Sequence, residues 1–157
     1  MAAIYCIDTS ALLQAYADYP QDAFPGLWEQ LDALIGEGRL VSSIEVFEEL
    51  KRHEGDAMHT WAKARKAVFL ELSEDIQRVV QSLMVAHPEL AKHRLNAHRA
   101  DPFVIATAKV RGATVVTNEQ RDGSSRRPKI PLVCDGLGIS CVRFSAVIRV
   151  EGWVFRC

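Results

Sequence analysis

The chain has no C-x-x-C pair, no internal repeat, no low-complexity tract, no apolar run of membrane-spanning length and almost no net charge (−1 over 157 residues). Each absence excludes something. Without a stretch of about 20 apolar residues no transmembrane helix is expected. The four cysteines, Cys6, Cys134, Cys141 and Cys157, are scattered, and Cys6 lies inside an apolar run. That is the pattern of reduced intracellular thiols, not of a disulfide framework. His and Cys at zinc-ligand spacing are missing too. Met1-Ala2-Ala3 leads directly into an apolar run with no charged segment before it, unlike a secretory signal, so the expected location is cytoplasmic. The near-zero charge argues against a generally basic nucleic-acid binder, though not against a local one. An acidic cluster filled by divalent cations is far less negative than its formal count.

What is present is ordinary in composition, 48% apolar and 25% charged, and long enough to bury one proper core. A single domain over residues 1–157 is expected. Ala3-Ile4-Tyr5-Cys6-Ile7 is short, apolar and partly β-branched, which reads as a buried parallel strand. A first helix is expected over 9–17 and a second over about 24–35, with Leu27, Trp28, Leu31, Leu34 and Ile35 on one face. Gly36 and Gly38 punctuate its end. Arg39-Leu40-Val41-Ser42 reads as a second strand. Ser43 caps a helix to about residue 53. Helices follow at about 56–70 and 74–86, the latter capped by Ser73, and a polar loop at 87–99. A helix over 101–110 opens on Asp101-Pro102. Ala113 to Thr117 reads as a third strand, Asn118 to Pro131 as a long loop, Ile139 to Arg143 as a last strand, and Ser145 as the start of a terminal helix. Strands alternating with helices imply an α/β fold with a parallel sheet covered on both faces.

Four acids occupy the junctions of this pattern. Asp8 ends strand one, Glu49 lies on the helix after strand two, Asp101 starts the helix before strand three, and Glu119 follows strand three. Open α/β sheets build their sites in the crevice outside the carboxyl ends of the strands. Hard cations such as Mg²⁺ and Mn²⁺ take oxygen ligands. Two of them about 3.5–4 Å apart can clamp the attacking and leaving oxygens of a phosphodiester. Each acid alone has an ordinary explanation. Asp8 suits an N-cap, Asp101 a first helical turn, Glu49 a helix surface and Glu119 a loop. Together they point to a metal-dependent nuclease.

Four stretches also resemble the PIN-domain nucleases, in the family's order across residues 4–119. Ile7-Asp8-Thr9-Ser10-Ala11-Leu12 resembles their opening motif. Ser43, followed six positions later by Glu49-Leu50, resembles the second, with Glu45 and Glu48 as competitors for the acidic role. Asp101-Pro102-Phe103-Val104-Ile105-Ala106-Thr107-Ala108 resembles the third. Val115-Val116-Thr117-Asn118-Glu119 resembles the fourth, with Glu119 where Asp is usual. The likeness is greatest to the VapC-type toxin branch, or to a stand-alone bacterial or archaeal relative of it. It implies a three-layer α/β/α sandwich with a mostly parallel central sheet. It also implies Mg²⁺- or Mn²⁺-dependent RNA cleavage by a metal-activated water, leaving a 5′-phosphate and a 3′-hydroxyl. Asp8, Glu49 and Asp101 would hold the first ion and Glu119 would assist a second. Thr9, Ser10 and Thr117 would orient the carboxylates by hydrogen bonds. The partners implied are RNA, an antitoxin protein and a second copy of the chain, with no membrane.

Arg126, Arg127 and Lys129, with Arg121, follow Glu119 in a stretch rich in Gly and Ser, which suits a phosphate backbone as well as it suits a solvated loop. Arg94, His98 and Arg99 precede Asp101 in the same way. A catalytically inactive protein of the same fold, binding RNA or a protein partner, is the alternative reading. It gives no reason to keep four acids. A haloacid-dehalogenase-type phosphatase would want a second Asp two positions after Asp8, and a topoisomerase-primase site an Asp-x-Asp pair. Ser10 stands there instead.

Overall fold

The computed structural model describes residues 2–52, 57–90, 100–120 and 129–156. Its centre is a five-stranded sheet in the order β3-β2-β1-β4-β5, built from β1 (Tyr5–Ile7), β2 (Leu40–Ser43), β3 (Phe69–Leu70), β4 (Thr114–Val116) and β5 (Cys141–Val142). Every neighbouring pair is parallel. Cys6 lies opposite Val41 on one side and Val115 on the other, and Val115 lies opposite Cys141. A parallel strand in mid-sheet is covered on both faces, which is why all of β1 is buried and apolar.

The helices are α1 (Thr9–Asp18), α2 (Pro25–Gly36), α3 (Ile44–Lys51), α4 (Ala57–Ala64), α5 (Glu74–Ala86), α6 (Asp101–Arg111), α7 (Ile130–Leu137) and α8 (Phe144–Glu151). They complete a three-layer α/β/α sandwich. α6 is packed on β1, β2 and β4 and touches α5 and α7, whereas α1, α3 and α4 touch one another and α2 packs on β2. Local sequence explains the starts. Ser43 Oγ accepts from the Glu45 amide (3.2 Å) to cap α3, and Ser73 Oγ accepts from the Ile76 amide (3.2 Å) to cap α5. α6 closes on Gly112 at φ 64°, a left-handed position that disfavours a side chain. Among the described residues no helix is long and apolar enough to cross a membrane.

Four expectations need correcting. The helix expected over 56–70 ends at Ala64, and its last part is a 3₁₀ turn (Lys66–Val68) followed by β3. Two strand residues directly behind a 3₁₀ turn leave no period-2 signal. Part of the expected loop 118–131, with the positions after it, forms α7, whose Pro131 and Gly136 read as loop chemistry. Pro131 stands in the first helical turn, where its missing N–H costs nothing. The last strand is only Cys141–Val142, and α8 begins at Phe144 with no side-chain cap, not at Ser145.

The chain order carries a further consequence. From β1 the sheet grows one way through β2 and β3, and the other way through β4 and β5. β1 and β4 are therefore the switch point, where the connections part and leave a crevice at the carboxyl ends of the strands.

Candidate functional site

Asp8 stands in that crevice, 4% exposed, as the N-cap of α1. Its Oδ1 accepts from the Ala11 amide (2.8 Å) and its Oδ2 from the Thr117 hydroxyl (2.7 Å). The Ser10 hydroxyl reaches both oxygens, at 2.9 and 3.0 Å. These donors are two hydroxyls and one amide, none of them cationic. Burial pushes the Asp8 carboxyl up to about 7, against the pull of Thr117, Ala11 and Ser10 and with a smaller push from the Glu119 charge.

Asp101 opens α6 and is 8% exposed. Its carboxyl is raised well above the ordinary range, first by burial and then by the charges of Glu119, Asp8 and Glu49. The fold thus brings Asp8, Glu49 and Glu119 all within electrostatic reach of Asp101. Glu49 arrives from α3. Its Oε2 accepts from the Thr9 hydroxyl (2.5 Å) and its Oε1 from the Ala100 amide (2.8 Å), at the entrance to α6. Of its competitors, Glu48 pairs with Lys51 at 3.6 Å and Glu45 sits in the first turn of α3. Glu119 Oε2 accepts from the Ile130 amide (2.8 Å), placing a carboxylate at the amino end of α7, where the helix dipole favours it.

Thr9, Ser10 and Thr117 all touch the acids. Thr117, 1% exposed, also accepts from the Glu119 amide (3.1 Å), and Ser10 accepts from the Asn118 amide (3.1 Å). Lys129 directly precedes α7, next to the amide that Glu119 holds. Arg126 and Arg127 lie outside the described residues, as do Arg94, His98, Arg99 and Arg121.

Among the described residues, no three His, Cys, Asp or Glu side chains stand as a metal-binding group. The acid oxygens named above are taken by hydroxyl and amide donors. The site nevertheless fits a hard cation. Its donors are all oxygen, and two of its carboxylates are buried against like charge, which a divalent ion would relieve.

Sequence reasoning missed the neighbours on the far side of Asp8. The Asn118 amide group donates to Gln14 Oε1 (3.4 Å), and Arg143 donates to Asn118 Oδ1 (3.3 Å). Arg143 follows the end of β5 as Asp8 follows β1. The rule that found the acids applies to it equally.

A family model described as "Domain of unknown function (DUF4411)" matches residues 5–155, and the chain belongs to that family. No curated protein matches the chain.

Proposed function

We propose that this member of the DUF4411 family is a divalent-metal-dependent endoribonuclease, the toxin of a toxin-antitoxin pair working in the cytoplasm. The observation that carries the reading is the convergence of Asp8, Glu49, Asp101 and Glu119 at the switch point of a parallel sheet, with Asp8 and Asp101 both held above the ordinary acidity range. The resemblance of the four motifs to PIN-domain nucleases supports it.

Asp8, Glu49 and Asp101 would hold one Mg²⁺ or Mn²⁺, with Glu119 beside a second or its waters. Bound there, the metal supplies an activated water and stabilises charge on the phosphate. The chain does the rest. Burial of Asp8 and Asp101 keeps competing water from their oxygens and makes each a strong ligand once ionised. Thr117 and Ser10 fix the Asp8 carboxylate in one orientation, and Thr9 does the same for Glu49. The Ala100 amide ties Glu49 to the start of α6, so that Asp101 and Glu49 keep their spacing.

One observation favours a second reading. Glu49 and Glu119 each accept from a backbone amide, so both also serve as clasps between elements. A PIN-fold protein that binds RNA or a partner without cleaving it could use them for that alone. A cleavage assay titrated with Mn²⁺ on single-stranded and structured RNA separates the two. Metal-dependent cuts in wild type that vanish in Asp101→Asn support the nuclease. No cuts at any metal concentration sinks it.

A further inference from the structure

A cleft of about 360 Å³ opens beside the acids, between the carboxyl end of α1 and the start of α8. Gln14, Asp18, Tyr19, Asn118, Arg143 and Phe144 line it. It adjoins the acidic site at Asn118, which sits between Thr117 and Glu119 and whose backbone amide donates to Ser10, which holds Asp8. Small-molecule sites run from about 300 to 1,000 Å³, so this cleft has room for one nucleotide.

Its polar groups are tied in one chain. Gln14 Nε2 donates to Asp18 Oδ1 (2.8 Å), Asn118 Nδ2 donates to Gln14 Oε1 (3.4 Å), and Arg143 Nη2 donates to Asn118 Oδ1 (3.3 Å). The chain holds both amides in fixed orientations. A carboxylate stands at one end and a guanidinium at the other. Behind them Tyr19 and Phe144 pack with ring centroids 5.9 Å apart, an aromatic wall.

We propose that this cleft holds one guanine base of the single-stranded RNA next to the cut phosphate. The inference rests on the ribonuclease reading and names its specificity. Asp18 would repel a phosphate, so the acidic end takes a base. A carboxylate needs donors, and guanine is the RNA base with two adjacent N–H donors on its Watson–Crick edge. Its other edge presents O6 and N7, the acceptor pair an arginine reads. Carboxylate and guanidinium in one cleft thus complement both edges of guanine. Adenine, cytosine and uracil have no pair of adjacent ring and amino N–H donors, so each meets the carboxylate through a single donor group and loses the paired contact. The aromatic wall supplies a face for the ring, as in other single-strand sites.

The test titrates GMP, AMP, UMP and CMP into the metal-free full chain, then maps cut sites with Mn²⁺ present. GMP should bind wild type about tenfold or more tighter than the others, the discrimination expected of one good bidentate contact. Asp18→Asn and Arg143→Ala should each abolish that preference while keeping the Mn²⁺-induced rise in melting temperature, which reports that fold and metal site are intact. Equal binding of the four nucleotides, or an unchanged GMP preference in both variants, overturns the proposal. Selective GMP binding without RNA cleavage would keep the cleft and sink the ribonuclease reading. Cleavage without any guanine preference would do the reverse.

Discussion

Thr117 donates to Asp8 across the gap between β4 and β1, a 2.7 Å hydrogen bond between residues 109 positions apart. It joins the two strands where their connections diverge, and it is among the bonds that hold the Asp8 carboxyl down against burial. Thr117→Val removes it. A buried hydrogen bond to a charged group is worth about 1.5–3 kcal/mol. The variant should therefore lose part of that in stability, raise the Asp8 carboxyl further and move the acidic limb of the activity profile to higher pH. Thr117→Ser should restore both. A variant with the wild-type pH profile would leave Thr117 as packing alone.

Metal-free stability should carry the mark of the buried acids. Asp8 has a folded value of about 7 against an ordinary 3.8, so the folded state binds more protons than the unfolded one between those limits. Its contribution therefore falls as pH rises from about 4 to about 7. The direction for Asp101 is the same. Glu151 runs the other way: Arg39 and Tyr5 hold its carboxyl low, so its contribution fades in acid. Comparing melting temperatures of wild type and Asp101→Asn across this range isolates the site, and the gap in favour of the variant should widen towards neutral pH. Millimolar Mn²⁺ should raise the wild-type melting temperature most above pH 7, where the acids are ionised. No Mn²⁺ effect at any pH would count strongly against a metal site.

Asp101→Asn is also the sharpest test of chemistry. As a ligand, Asp101 is needed for cleavage, so activity should fall by orders of magnitude while the fold survives with slight gain in stability. As a helix-start residue alone, its loss should cost about 0.5–1 kcal/mol and leave cleavage intact. Activity and thermal melting measured on one preparation decide between these.

Glu49 and Glu45 stand one turn apart on α3. Glu49→Gln should abolish cleavage and Glu45→Gln only weaken it, because Glu49 holds Thr9 and the Ala100 amide and its charge acts on Asp101. The reverse ranking in a turnover assay would move the site one turn along the helix.

Replacing Arg126, Arg127 and Lys129 together by Ala should weaken binding of all RNA sequences alike. It should also flatten the salt dependence by up to about 0.7 per lost contact on single strands. Cut-site choice should not change, because phosphate contacts position a strand without reading it. Identical salt slopes for wild type and variant would leave these three cations without a role in RNA binding.

Much of the fold was legible because its central elements announce themselves. The apolar run through Ile7 breaks on Asp8, Ser43 and Ser73 cap helices, and Asp101-Pro102 opens one. Each signal is local, and the structure keeps each where it was expected. What escaped is what no short window contains. β3 has two residues and exists because Ser42 and Ser43 offer a ladder to Phe69 and Leu70. α7 hides behind Pro131 and Gly136. The Glu49 contact with the Ala100 amide involves a backbone donor, which has no letter in the sequence. The cleft draws Gln14, Asn118 and Arg143 from three separate stretches, each unremarkable alone.

The hydrogen bond from the Ile130 amide to Glu119 closes a ring in the chain, eleven positions around. Glu119 is thereby held to the start of α7 as well as to its place after Thr117, so its position does not rest on the chain length between 119 and 130. Closing a loop twice as long adds only about 0.6 kcal/mol of entropy cost. Lengthening the chain between Glu119 and Ile130 should therefore leave the acid in place at little cost in stability.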